Sequence, residues 1–193
     1  MKKSGVVLGF LPMIIYGILA GSSVASVTLA LTAAIVAFLL VGWNDLCNGM
    51  MMSWANIALF GSALVAIGVL GISWLIPYMG VLIYATLAAF TLGSILIGMP
   101  FTLQYARRMV DKAFWDNPLF LQVNVMITGV WGAAFLINLG LIGITLTTPG
   151  FVGHIAQVTT YIVLIAGGLF TLWYPEQVRK SKPSIPVQIP SEI

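Results

Sequence analysis

The chain predicts an all-α, polytopic membrane protein: a bundle of six transmembrane helices with both ends cytoplasmic, and a short amphipathic interfacial helix between the fourth and fifth. Three observations carry this. Hydrophobic residues make up 60% of the chain, charged residues only 7%, and the mean hydropathy is +1.07. A soluble domain carries about 25% charge, and a chain this apolar lacks the polar groups to cover a water-facing surface. The apolar residues also lie in long runs, and about 20 residues span a hydrocarbon core as a helix. Finally, six crossings place all eight Lys and Arg residues on one side. Lys2 and Lys3 open the chain, Arg107, Arg108 and Lys112 share one interior loop, and Arg179, Lys180 and Lys182 lie in the tail.

The segments follow in order as roughly 5–21, 24–42, 54–76, 78–99, 121–146 and 152–173. Pro12 removes one backbone donor from the first and is expected to bend it. Gly21, Ser22 and Ser23 supply a tight turn into the second. Pro77 is expected to separate the third from the fourth, with Trp74 and Tyr78 beside it at the interface. Residues Thr147 to Gly150 separate the fifth from the sixth. The turns on this side carry no charge. On the other side lie a 43–53 loop with Trp43, Asn44, Asp45 and Asn48, the more charged 100–120 loop, and a tail with four prolines from Pro175 onward. The tail is expected to be extended or disordered, so residues 1–174 form one membrane domain and 175–193 a cytoplasmic tail. Clustered cations mark that face as cytoplasmic. Five crossings would put Lys2 and Lys3 opposite the rest, so six are preferred. The N-terminus also resembles a secretory signal, with two lysines, an apolar run and small residues; the preferred reading is a first membrane helix.

Several classes are disfavoured or excluded. The net charge of +3 sits beside apolar segments, which fits an anionic leaflet rather than nucleic acid. One cysteine, Cys47, forbids an internal disulfide or a multi-cysteine metal site. One histidine, His154, forbids a multi-histidine metal site. Nucleotide loops, Ser/His/Asp sets, paired catalytic carboxylates and zinc spacings are missing. No carboxylate sits mid-membrane, as proton-coupled carriers usually require. No cofactor and no catalytic residue is assigned, and the enzyme class is disfavoured.

The 98–112 stretch is the most informative. Pro100 ends the fourth helix or starts a new one, since proline suits a first helical position. From Phe101 the spacing fits an amphipathic helix with Phe101, Tyr105 and Arg108 on one face and Leu103, Arg107 and Val110 on another. Asp111 stands within reach of Arg107 or Arg108. The candidate contact set for lipid or partner is Gln104, Arg107, Arg108, Lys112, Trp115 and Asp116; a simple topology anchor is the plainer reading.

Within the fifth segment Asn124, Thr128, Trp131, Phe135 and Asn138 recur at helical spacing as one stripe. Buried Asn and Thr usually bond a neighbouring helix. Helix packing is therefore the first reading, and a polar solute path along Asn124, Thr128 and Asn138 the second. His154, Gln157 and Tyr161 share a face of the sixth segment; a hydrogen-bonded histidine at the interface is the first reading, and His154 or Gln157 as a ligand to haem or quinone the second. Glycines at 17, 21, 61, 68, 71, 140, 143, 167 and 168 are expected to allow close helix approach, and Gly17 with Gly21 suits a homo-oligomer contact. Trp and acid or amide recur at 42–45, 114–117 and 172–176; an aromatic belt explains this without duplication.

The run from Gly98 through Pro100-Phe101-Thr102-Leu103-Gln104-Tyr105-Ala106-Arg107, then Phe114-Trp115-Asp116, then Asn124 and Trp131, resembles a group of uncharacterised bacterial integral-membrane proteins. More distantly it is similar to the septation protein A (inner-membrane spanning) family. The resemblance covers about residues 98–140, and Met99 stands where the second family usually has Lys. It implies an inner-membrane location and a link to envelope organisation, and supplies no catalytic residues. The leading expectation is a non-enzymatic protein binding lipid or protein partners through the 100–120 loop. A small carrier for an apolar or weakly polar solute and a redox subunit are the alternatives.

Overall fold

A run of apolar residues that must satisfy its own backbone in lipid has one local solution, the helix, and every long apolar run among the described residues adopts it. In the computed structural model, which describes residues 11–148 and 150–181, every regular element is helical and none of the described residues is in a strand. The helices are α1 Leu11–Leu19, α2 Val24–Cys47, α3 Met51–Leu64, α4 Met79–Leu96, α5 Phe101–Arg107, α6 Pro118–Thr147 and α7 Phe151–Ser181. Among the described residues, five spans are long and apolar enough to cross a membrane: Val24–Cys47, Met51–Val69, Ser73–Leu96, Pro118–Thr147 and Phe151–Ser181. Residues 5–10 of the expected 5–21 segment lie outside the described residues, as do Lys2, Lys3 and Lys182. The chain divides into two compact units, Met1–Ile83 and Tyr84–Ile193.

In the first unit α1 packs on α2 and α2 on α3. The inward stripe of α2 is Val27, Ala30, Leu31, Ala34 and Phe38, all buried, at the spacing of one helix face. Ser23 caps α2: its hydroxyl accepts from the Ser26 N–H at 3.1 Å, and the Ser26 hydroxyl accepts from the Ser23 N–H at 3.3 Å. Tyr16 meets Phe60 edge-on at 5.8 Å.

Two boundaries differ from expectation here. α2 runs on through Trp43, Asn44 and Asp45 to Cys47, so most of the expected 43–53 loop is helix. Polar side chains at an interface do not stop a backbone. The stop is Gly49, at φ 66°, where the Met50 N–H bonds the Asp45 carbonyl and the Gly49 N–H bonds the Leu46 carbonyl. The third segment closes before Pro77. It widens into a π turn over Val65–Val69, where the Leu70 N–H bonds the Val65 carbonyl at 2.9 Å. It breaks at Gly71, at φ 68°. Pro77 instead sits inside a 3₁₀ turn, Ser73–Tyr78, that leads into α4. Proline preset the turn's geometry, but glycine made the break.

In the second unit α6 is central in contact terms, packing on both α5 and α7. Asn117 caps α6 by accepting the Leu119 N–H at 2.9 Å, with Pro118 at the first helical position. α7 continues through Pro175 to Ser181, so residues 175–181 are helical rather than extended or disordered as expected. Proline removes one N–H, a loss tolerated in helices that neighbouring groups can compensate. The residues after it, Glu176, Gln177, Arg179 and Lys180, are good helix formers. Glu176 precedes Lys180 by four positions, the favoured order, and Arg179 and Lys180 complement the last turn's dipole. Residues 182–193 of the expected tail lie outside the described residues. The three Trp-acid stretches have different backbones: the end of α2, the turn before α6, and the interior of α7.

Candidate functional site

The 100–120 region is a folded segment rather than an open loop. Gly98, at φ 72°, ends α4, with the Met99 N–H bonding the Ser94 carbonyl and the Gly98 N–H the Ile95 carbonyl. Ser94 then joins the two helices. Its hydroxyl donates to the Thr91 carbonyl at 2.7 Å and accepts the Phe101 N–H at 3.1 Å. Pro100 stands as the N-cap residue of α5.

A short helix, α5, does follow Pro100, but it lacks the two-faced character expected of an amphipathic surface helix. Phe101, Thr102, Leu103 and Tyr105 are all buried, on both of the faces the spacing had separated. Phe101 packs 6.1 Å from Phe90. Thr102 is the anchor: its hydroxyl donates to the Asn124 carbonyl at 3.0 Å and shares a hydrogen bond with the Thr128 hydroxyl at 2.7 Å. α5 is therefore pinned to the polar stripe of α6, and its cationic end is held in place.

At that end the side chains converge on Trp115. The indole Nε1–H donates to the Arg107 backbone carbonyl at 3.2 Å. The Arg107 guanidinium lies over the same indole at 5.2 Å, and the Lys112 ammonium stands 5.9 Å from its centre. Asp111 does not need either cation to have a role. Its carboxylate accepts the Ala113 N–H at 3.1 Å and caps the turn Lys112–Phe114. Of the six expected contact residues, Arg107, Lys112 and Trp115 meet. Gln104 is half-buried one turn before Arg107, while Arg108 and Asp116 are exposed.

The stripe of α6 is buried along its length: Asn124, Thr128, Trp131, Phe135 and Asn138 are each at most 4% exposed. Its bonds bind helices together. Trp131 donates to the Thr171 hydroxyl at 2.9 Å, and Asn138 to the Thr160 carbonyl at 3.3 Å. The Tyr84 hydroxyl lies beside both Thr160 and Asn138. Asn124 departs from the expected pattern, since its side-chain amide donates within its own helix, to the Phe120 carbonyl at 2.8 Å. Thr102 covers the Asn124–Thr128 end and Thr160 lies against Asn138, an arrangement of packing contacts.

His154 is exposed in the first turn of α7. Gln157 donates to the Tyr161 hydroxyl at 3.3 Å. Among the described residues no three His, Cys, Asp or Glu side chains cluster as metal ligands. Sequence reasoning missed Ser94, Thr102 and Tyr84, whose importance depends on which helix lies opposite. Asn117 was missed as well, although Asn before Pro is a helix-start signal that could have found it. Comparisons of the chain with protein-family models, curated proteins and solved structures found no match.

Proposed function

We propose that the chain is a non-enzymatic protein of the bacterial inner membrane, with both termini cytoplasmic, that binds lipid or protein partners through its 100–120 segment in an envelope-associated role. The observation that carries this reading is the Trp115 cluster, where Arg107 and Lys112 are gathered at one indole at the end of a helix locked to the bundle. A positively charged topology anchor would need the charges but not the fixed ring. The resemblance of residues 98–140 to inner-membrane proteins points the same way. The buried stripe serves packing, which favours binding over solute transport.

Two experiments test this. A reporter fused after residue 193 is expected to read cytoplasmic, as is a reporter in the 108–112 turn; a periplasmic signal from either sinks the threading. The pair Arg107→Ala with Arg108→Ala is expected to weaken binding to anionic vesicles about 30-fold, at roughly 1 kcal/mol per cation. The bundle's melting temperature should hold, because the hydrogen-bonded anchor of α5 is Thr102. Unchanged binding to both anionic vesicles and protein partners counts against the proposal.

A further inference from the structure

We infer that the Arg107–Trp115–Lys112 cluster takes the phosphomonoester headgroup of a membrane lipid, a preference that rests on the binding role proposed above for the same segment. The chemistry of the two cations differs. Arg107 offers a planar fork matched to two phosphate oxygens, and Lys112 a point charge with three donors. Together they suit a group with charge near −2 and three free oxygens. A phosphomonoester has these; a phosphodiester has one charge and two free oxygens.

Three observations favour a phosphate here over a cluster that only tethers itself. The Arg107 Nε atom is buried with no hydrogen-bond partner, so a charged donor stands without an acceptor, a costly condition that a phosphate oxygen would relieve. The Asp111 carboxylate is occupied in capping the Ala113 N–H, which fixes the turn carrying Lys112. Lys112 itself is exposed, so a ligand can approach it. The lipid source follows from the surroundings. Met109, 46% exposed, lies between the two cations in sequence, and the segment connects two spans long enough to cross a bilayer.

The test uses the full chain in phosphatidylcholine nanodiscs doped with either a phosphomonoester lipid (phosphatidic acid) or a phosphodiester lipid (phosphatidylglycerol) at matched negative charge. Lipid retained by the protein is counted by native mass spectrometry. The monoester should be preferred, and Lys112→Gln should cut its retention about fivefold. Arg107→Lys, which keeps the charge and removes the fork, should abolish the preference while leaving general attraction to anionic lipid. Added inorganic phosphate should not displace the lipid. Equal retention of the two lipids, with both weakened by the variants, overturns the phosphomonoester inference and leaves the broader binding role standing. Retention indifferent to every variant overturns this inference and the lipid-binding half of the proposed role. Displacement by inorganic phosphate alone overturns the lipid source. Melting temperatures of the variants in the same nanodiscs identify any loss that is merely unfolding.

Discussion

Trp131→Ala is expected to lower the stability of the 84–193 unit by about 3 kcal/mol, the low end of the range for deleting a buried aromatic. The indole is 4% exposed and packs 5.6 Å from Phe135. It also lies against Gly167, where an added Cβ would sit 3.5 Å from the ring. Its N–H is bonded to Thr171. The low end applies because the reference state is a helix in lipid. A Trp leaving the bundle goes to hydrocarbon, so the loss is mainly packing and one hydrogen bond. The check is the denaturation midpoint of the purified protein in detergent. Trp173, 54% exposed on α7, is the control; its alanine variant should stay within about 0.5 kcal/mol of the parent. A loss below about 1 kcal/mol at Trp131 would mean that it is no packing anchor.

Gly153→Val is expected to cost a similar amount, about 3 kcal/mol, at the top of the usual range for overpacking. A Cβ at Gly153 would stand 2.6 Å from the Thr148 carbonyl oxygen. That oxygen is backbone, so it cannot rotate away as a side chain would. Thr148 is itself held by its N–H bond to the Ile144 carbonyl at 2.8 Å. The turn between α6 and α7 would have to open. Gly143→Ala should behave in the opposite way, gaining up to about 1 kcal/mol from helix propensity, because nothing lies within 4 Å of an added Cβ there. Matching midpoints for the two variants would refute the assignment of Gly153 as the close-packed position.

These glycines show where sequence reading stops. Helical spacing marked Gly140, Gly143, Gly167 and Gly168 alike as positions for close approach. Of these, an added Cβ meets a neighbour only at Gly167, and the tight contacts at Gly132 and Gly153 were not anticipated. A small residue facing lipid and one facing a helix look identical in a sequence. The stripe from Asn124 to Asn138 was legible because burial in an apolar helix restricts polar residues to the protein side. Its partners were not, because Thr102 and Thr171 come from other segments. The candidate site followed the same rule. Its residue types and its place between two spans could be read along the chain, whereas the stacking of Arg107 and Lys112 on Trp115 could not.

Helix boundaries divide in the same way. Pro77 and Pro175 were expected to end segments, yet both lie inside helical turns. Proline removes only its own N–H, and the residues after Pro175 favour helix strongly enough to continue. Gly49, Gly71 and Gly98, each at positive φ, made the breaks.

Composition and the spacing of apolar runs determined by themselves that this chain is helical and built from spans of bilayer length, because a backbone in hydrocarbon must satisfy itself within each segment. Tertiary structure alone decided which polar groups meet, which glycines admit a neighbour, and which cations gather at Trp115. Those outcomes depend on the distances between segments remote in sequence, and no local preference encodes such distances.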